Sequence, residues 1–208
     1  MKSKSSNEWN PTLYDKKVSF VSKYGEDLLS KDYKNVIAQL FEIGFNGEID
    51  NDDYVHALYL TDLMFQNTSR SLRMVMGSYG KEFLGDLHNS FMLALERIHR
   101  NHGFAHLAFL TQDSLSPLQK LQEQFRGTLK IFICSLTRNV VLNHIIICDN
   151  RMLRKEKPHP TVFDGMPVED IKASVFLSNR SASEVAAETF DVMWHSLSRK
   201  TKESKAHQ

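Results

Sequence analysis

The chain has 208 residues, of which 26 are Lys or Arg and 25 are Asp or Glu, so its net charge is +1. The length predicts one domain with a sizeable core, and the balanced charge does not support nucleic-acid binding, although it does not exclude it. The N-terminal residues MKSKSSNEWNP lack the apolar stretch of a signal peptide. The apolar runs are far shorter than the ~20 residues of a membrane helix. We therefore expect a cytoplasmic protein without a membrane partner.

No metal and no cofactor are expected. The two cysteines, Cys134 and Cys148, lie in apolar, β-rich runs and are too few for a zinc site, so buried thiols in a reducing compartment are predicted. Four histidines lie on or beside the longest predicted helix: His88, His99, His102 and His106. No neighbouring carboxylate or cysteine completes a set of metal ligands with them.

Composition and apolar spacing divide the chain into four parts. They are a flexible arm (1–10), an N-terminal helical segment (11–50), an α/β domain (51–198) and a charged tail (199–208). Within the helical segment, Ile37 lies on an apolar helix face and Gly44 is predicted to end the helix. Residues 47–53 are predicted as a polar break, in which Asp52 and Asp53 start the next helix.

The remaining elements alternate between helix and strand. Apolar spacing predicts helices at 54–67, at 81–101 with Gly103 as the cap, at 116–127 and from near Ser181. Runs rich in β-branched and aromatic residues predict strands at 72–76, 104–110, 129–136, 143–148, 152–156 and 174–177. This order predicts an α/β fold with a mixed sheet flanked by helices. The 136–144 connection is too short for a crossover helix, so the strands around it either pair antiparallel or are offset.

The segment from Asn143 to Glu156 combines a strand, a turn and a second strand. Asp149-Asn150 is typical of a hairpin turn. Alternation along the second strand places Met152, Arg154 and Glu156 on one face, opposite to Arg151, Leu153 and Lys155. Arg154 and Glu156 are therefore predicted to form a buried pair. For His144 two interpretations stay open, a local hydrogen bond or a ligand contact, with its tautomer set by Asp149 or Glu156.

Three sequence features resemble one lobe of the phospholipase D superfamily, over residues 50–198. The helix that ends in His99-Arg100-Asn101-His102-Gly103 is followed by a strand. His144 on an apolar strand with Asp149 after it is similar to the family's HxK(x)4D motif. The closing helix carries Phe190-x-x-x-Trp194. The resemblance implies an α/β lobe whose motif histidine attacks phosphorus while the motif lysine and an asparagine hold the phosphoryl oxygens.

The chain departs from that motif. The lysine position is Ile146, Asp149 follows His144 by five residues instead of seven, and Ser178-Asn179 takes the place of the family's Ser/Asn segment. A non-catalytic interaction or sensor module that binds a protein or a phosphate-bearing ligand is therefore expected. The alternative is a homodimeric phosphodiesterase or nuclease with His144 from two chains. Either would be homo-oligomeric or bind a protein partner, and the resemblance implies a setting in bacterial defence, such as antiviral defence, or among mobile elements.

The predicted site residues follow from this comparison. The catalytic candidates are His144 and Asp149. The ligand-binding candidates are Arg151, Arg154, Lys155, Glu156 and Asn179. The turn Gly77-Ser78-Tyr79-Gly80-Lys81 lacks the spacing of a nucleotide P-loop, which favours an ordinary turn.

Overall fold

The computed structural model describes residues 30–51, 54–77, 83–109, 116–133, 142–156 and 173–206. Several sequence predictions lie outside these ranges. They are the arm, residues 11–29 of the N-terminal helical segment, the helix start at Asp52-Asp53, the turn after Gly77, the thiol of Cys134, and the tail end at 207–208.

Seven strands form one mixed sheet in the order β1-β7-β6-β5-β2-β3-β4. The strands are β1 (Ile49–Asn51), β2 (Ser71–Met76), β3 (Phe104–Phe109), β4 (Leu129–Ile133), β5 (His144–Cys148), β6 (Met152–Glu156) and β7 (Ala173–Phe176). Strands β2, β3 and β4 run parallel, and every other neighbouring pair is antiparallel. The predicted mixed α/β sheet is confirmed. Strands β4 and β5 are offset, because β2 and β3 lie between them.

Helices cover both faces of this sheet. They are α1 (Lys31–Glu42), α2 (Tyr54–Gln66), α3 (Phe83–Asp86), α4 (His88–Arg100), α5 (Ser116–Gln124) and α6 (Arg180–Ala206). The main core lies between one sheet face and the helices α1 to α5, and includes Phe65, Phe91 and Ile146. A smaller core joins the other face to α6 through Phe190 and Trp194. No helix in the described ranges is long and apolar enough to cross a bilayer.

Local signals explain the helix ends. The Ser30 hydroxyl accepts a hydrogen bond from the Tyr33 N–H and caps the start of α1. Gly44, two residues after the last residue of α1, has a left-handed conformation (φ 67°) and stops the helix as predicted. Gly127 after α5 also has a positive φ, of 88°. Asp149 and Asn150 are both left-handed, so the predicted hairpin turn between β5 and β6 is confirmed.

Four predictions about the elements are wrong in detail. The polar break contains β1, which pairs with β7. The helix predicted from 81 to 101 is two helices, α3 and α4, which are separated at Leu87. Residues 199–206 of the charged tail continue α6. The left-handed residue after α4 is His102, and Gly103 is needed for another reason: a Cβ there would lie 1.9 Å from the Arg70 carbonyl oxygen.

Candidate functional site

The candidate site lies at the sheet edge where β5 begins and β6 ends. His144 and Glu156 are directly opposite each other in the antiparallel register. Because side chains alternate along a strand, both point to the face of the main core, where Ile146 and Met152 are buried. The Nδ1 atom of His144 lies 3.3 Å from Oε2 of Glu156. Of the two partners that the sequence offered to this histidine, the structure places Glu156 beside it.

Arg154 makes a two-pronged ion pair with the same carboxylate. Its Nη1 donates to Oε2 and its Nη2 donates to Oε1 of Glu156, each at 3.1 Å. The Arg154 side chain is 3% exposed and that of Glu156 is 9% exposed. The guanidinium also lies 5.3 Å from the ring centre of Phe83. The predicted buried pair is confirmed, and its opposite charges neutralise each other inside the protein.

The neighbours of this cluster were not predicted from the sequence. A Cβ at Gly77 would lie 3.0 Å from Nε2 of His144, so the absence of a side chain there makes room for the imidazole. Asn51 lies in the same sheet row, next to Ala173, which in turn pairs with Glu156. Asn51 is fully buried, and within the described ranges neither of its side-chain polar atoms has a hydrogen-bond partner. A lone asparagine at the end of a three-residue strand gives no sequence signal of this kind.

Asp149 lies at the other end of β5. Five residues of extended chain separate it from His144, a span of about 17 Å, so the structure does not bring these two residues together. Its Oδ1 accepts the N–H groups of Arg70 and Ser71, each at 2.8 Å. Its Oδ2 accepts the N–H of Ser69 at 2.8 Å and the hydroxyl at 3.0 Å. Asp149 therefore fixes the hairpin against the start of β2.

The other predicted ligand-binding residues are spread over the molecule. Arg151 lies near Asp149, with its guanidinium 5.5 Å from the ring centre of Phe41. Lys155 is exposed and lines a groove beneath α6. Asn179 caps α6: its Oδ1 accepts the N–H of Ala182 at 2.9 Å, and its Nδ2 donates to the Asn46 carbonyl at 2.8 Å. Only Arg154 and Glu156 lie beside His144.

Helix α6 is fastened to the opposite face by two contacts that the sequence did not predict. The guanidinium of Arg73 donates twice to Asp191, each time at 2.8 Å. The rings of His106 and Trp194 are stacked with their centres 4.3 Å apart. Burial, reinforced by the positive charges of Lys130 and Arg73, lowers the pKa of His106 to about 4. This histidine is therefore neutral at pH 7.

The described residues do not form a metal centre. No cluster of three or more His, Cys, Asp or Glu side chains with suitable geometry occurs among them. The one described cysteine, Cys148, is fully buried, and this burial raises the pKa of its thiol to about 12. It is a core residue, as predicted, and a poor nucleophile at neutral pH.

Comparisons with known proteins give the fold. No protein-family model and no curated protein matches the chain. Among solved structures it is similar to TrmBL2, an archaeal chromatin protein whose structure shows a novel mode of DNA binding (12% identity, TM-score 0.50, 90% of this chain and 70% of TrmBL2 covered). It is also similar to NucT from Helicobacter pylori (10% identity, TM-score 0.50, 72% of this chain and 96% of NucT covered). Nuc from Salmonella typhimurium, a phospholipase D family member, has 13% identity and a TM-score of 0.45, with 72% of this chain and 95% of Nuc covered.

At these identities the similarity shows the fold alone. The predicted fold class, an α/β fold with a mixed sheet between helices, is confirmed.

Proposed function

We propose that the chain is a non-catalytic binding module built on a phospholipase D-like fold, and that its ligand carries phosphate groups. The observation that carries the proposal is the ion pair between Arg154 and Glu156, because Glu156 also contacts His144 and already occupies the guanidinium of Arg154.

Phosphodiester cleavage by a histidine nucleophile needs a second, cationic group for the phosphoryl oxygens. If the motif is aligned on His144, its lysine position is Ile146, which is buried in the main core. If it is aligned on Asp149, counting back seven residues puts the motif histidine at Leu142 and the lysine at His144. In either alignment an apolar residue replaces one of the two reacting groups.

Arg154 is a poor substitute for the missing cation. Both of its Nη atoms donate to Glu156. Turning the guanidinium toward a phosphate would leave the carboxylate of Glu156 buried without its cation, at a cost of about 3–5 kcal/mol. The network thus favours a structural role for the three polar residues over a role in phosphoryl transfer.

Nucleic acid is the ligand that we favour. TrmBL2, which shares the fold over most of this chain, is a DNA-binding chromatin protein. A protein partner is the other outcome of the binding experiments. The setting in bacterial defence or mobile elements stays a prediction.

A hydrolysis assay separates this proposal from the homodimeric phosphodiesterase or nuclease. The substrates are bis(p-nitrophenyl) phosphate and a fluorescent single-stranded oligonucleotide, with and without divalent cations. The wild type is compared with His144→Ala and with His88→Ala, which removes an exposed histidine of α4. We expect no hydrolysis above buffer by any of the three. Hydrolysis by the wild type and by His88→Ala that is lost in His144→Ala would contradict the proposal.

A further inference from the structure

A polar cleft opens at the sheet edge opposite to His144, where β2 and β3 begin and the β5–β6 turn lies. It encloses about 660 Å³ and is lined among others by Arg70, Arg151, Asn67, Asn101, Asn150 and His102. We propose that this cleft binds a phosphate ester of nucleotide size, either a free nucleotide or a nucleotide unit of a longer strand. The inference rests on the proposed function, for which it names the binding site.

The cleft carries two cations that are available to an anion. Arg70 and Arg151 are exposed, and within the described part of the chain neither guanidinium pairs with a carboxylate. The backbone of Arg70 is held on both sides, because its N–H donates to Asp149 and its carbonyl accepts the N–H of Phe104. Arg151 packs over the ring of Phe41. Two arginines that are held in place by these contacts can bind a phosphate group, because a guanidinium donates two parallel hydrogen bonds to phosphate oxygens.

Among the described residues that line the cleft, Asp149 is the only one with a carboxylate, and it does not compete for these cations. Asp149 accepts four hydrogen bonds, from the N–H groups of Ser69, Arg70 and Ser71 and from the Ser69 hydroxyl. Both of its oxygens are therefore occupied by hydrogen bonds from the start of β2, and these bonds stabilise the negative charge. Another cation, Arg97, lies close enough for the two charges to interact.

Three amides add polar groups beside the arginines. Asn67 and Asn101 each donate from Nδ2 to a main-chain carbonyl, and Asn150 accepts on Oδ1 from Arg73. In the described ranges the other side-chain polar atom of each amide makes no hydrogen bond. These atoms can form hydrogen bonds with the hydroxyl groups and base edges of a nucleotide. The cleft volume also lies in the range that is usual for small-molecule sites. A free phosphate would fill only a part of it.

The test uses fluorescence anisotropy of the full chain with a labelled single-stranded oligonucleotide, followed by competition with the unlabelled oligonucleotide, AMP, adenosine and inorganic phosphate. The variants are Arg70→Gln and Arg151→Gln, with Arg180→Gln as the matched control, since Arg180 is an exposed arginine at the start of α6 outside the cleft. We expect each cleft variant to weaken binding about tenfold and the control to bind as the wild type does. Circular dichroism checks that all variants are folded.

The competitors identify the source of the phosphate. AMP that competes while adenosine does not supports a free nucleotide, and competition by unlabelled oligonucleotide alone supports a unit of a strand. Unchanged binding by both cleft variants, competition by adenosine equal to that by AMP, or no binding of any probe would overturn the inference. If the protein cleaves the oligonucleotide, the non-catalytic proposal is refuted. The binding site proposed here would still be supported in that case, provided that the cleft variants lose binding and the control variant does not.

Discussion

Removing the carboxylate of Glu156 should destabilise the protein more than removing any exposed acidic residue. In Glu156→Ala the guanidinium of Arg154, which is 3% exposed, loses both acceptors and stays buried without a counterion. Breaking one side of such a buried pair costs about 3–5 kcal/mol in the free energy of unfolding. For a domain of this size that loss corresponds to a fall of about 6–20 °C in Tm.

The assay is urea unfolding followed by far-UV circular dichroism. Glu184→Ala is the matched control, because it removes an exposed i,i+4 pair with Arg180, at 3.5 Å, which is worth less than about 0.5 kcal/mol. The double variant Arg154→Met/Glu156→Leu removes both charges and should recover most of the loss. A loss of stability in Glu156→Ala no greater than that in Glu184→Ala, or a double variant less stable than Glu156→Ala, would contradict this prediction.

Three further changes test other parts of the structure. Asp149→Ala leaves four donors at the start of β2 without their acceptor and puts alanine in a left-handed conformation. The free energy of unfolding, measured with urea, should fall by about 2 kcal/mol in this variant and by clearly less in Asp149→Asn. Gly103→Ala forces a Cβ against the Arg70 carbonyl and should cost about 3 kcal/mol in the same assay; an unchanged midpoint would be contrary to the close approach. The lowered pKa of His106 means that the unfolded chain takes up a proton below about pH 6.5, while the folded chain does so only near pH 4. The free energy of unfolding should therefore fall by about 1–2 kcal/mol as the pH is lowered from 6.5 to 4, after allowance for solvent screening. The fall should be smaller in His106→Gln, and equal pH profiles of the two proteins would refute this prediction.

The oligomeric state bears on the alternative function. A site that uses His144 from two chains requires a dimer. Size-exclusion chromatography with light scattering measures it directly. A strict monomer would remove the basis of a shared phosphodiesterase site and leave the binding module intact.

Local rules predicted the central pair of the site correctly. Alternation along β6 placed Arg154 and Glu156 on one face, and the Asp149-Asn150 dipeptide placed a hairpin between β5 and β6. With the hairpin fixed, His144 comes opposite Glu156 by register alone. These features depend on fewer than fifteen consecutive residues, so the sequence contains all the information that they need.

Contacts between distant parts of the chain could not be predicted in this way. Strand β1 has three residues and exists because β7 offers it a partner. The pair between Arg73 and Asp191 joins residues 118 positions apart. Asn179, expected to bind a ligand, looks the same in sequence whether it contacts a ligand or caps a helix. Each of these cases depends on which elements of the chain come together in the fold, and periodicity does not specify that arrangement.

The most direct test of the account is the fate of an end-labelled single-stranded oligonucleotide that is incubated with an excess of the wild-type protein. We predict that the strand is recovered at full length from the protein-bound fraction. Shortened products that form with the wild type and disappear with His144→Ala would contradict a module that binds phosphate groups without cleaving them.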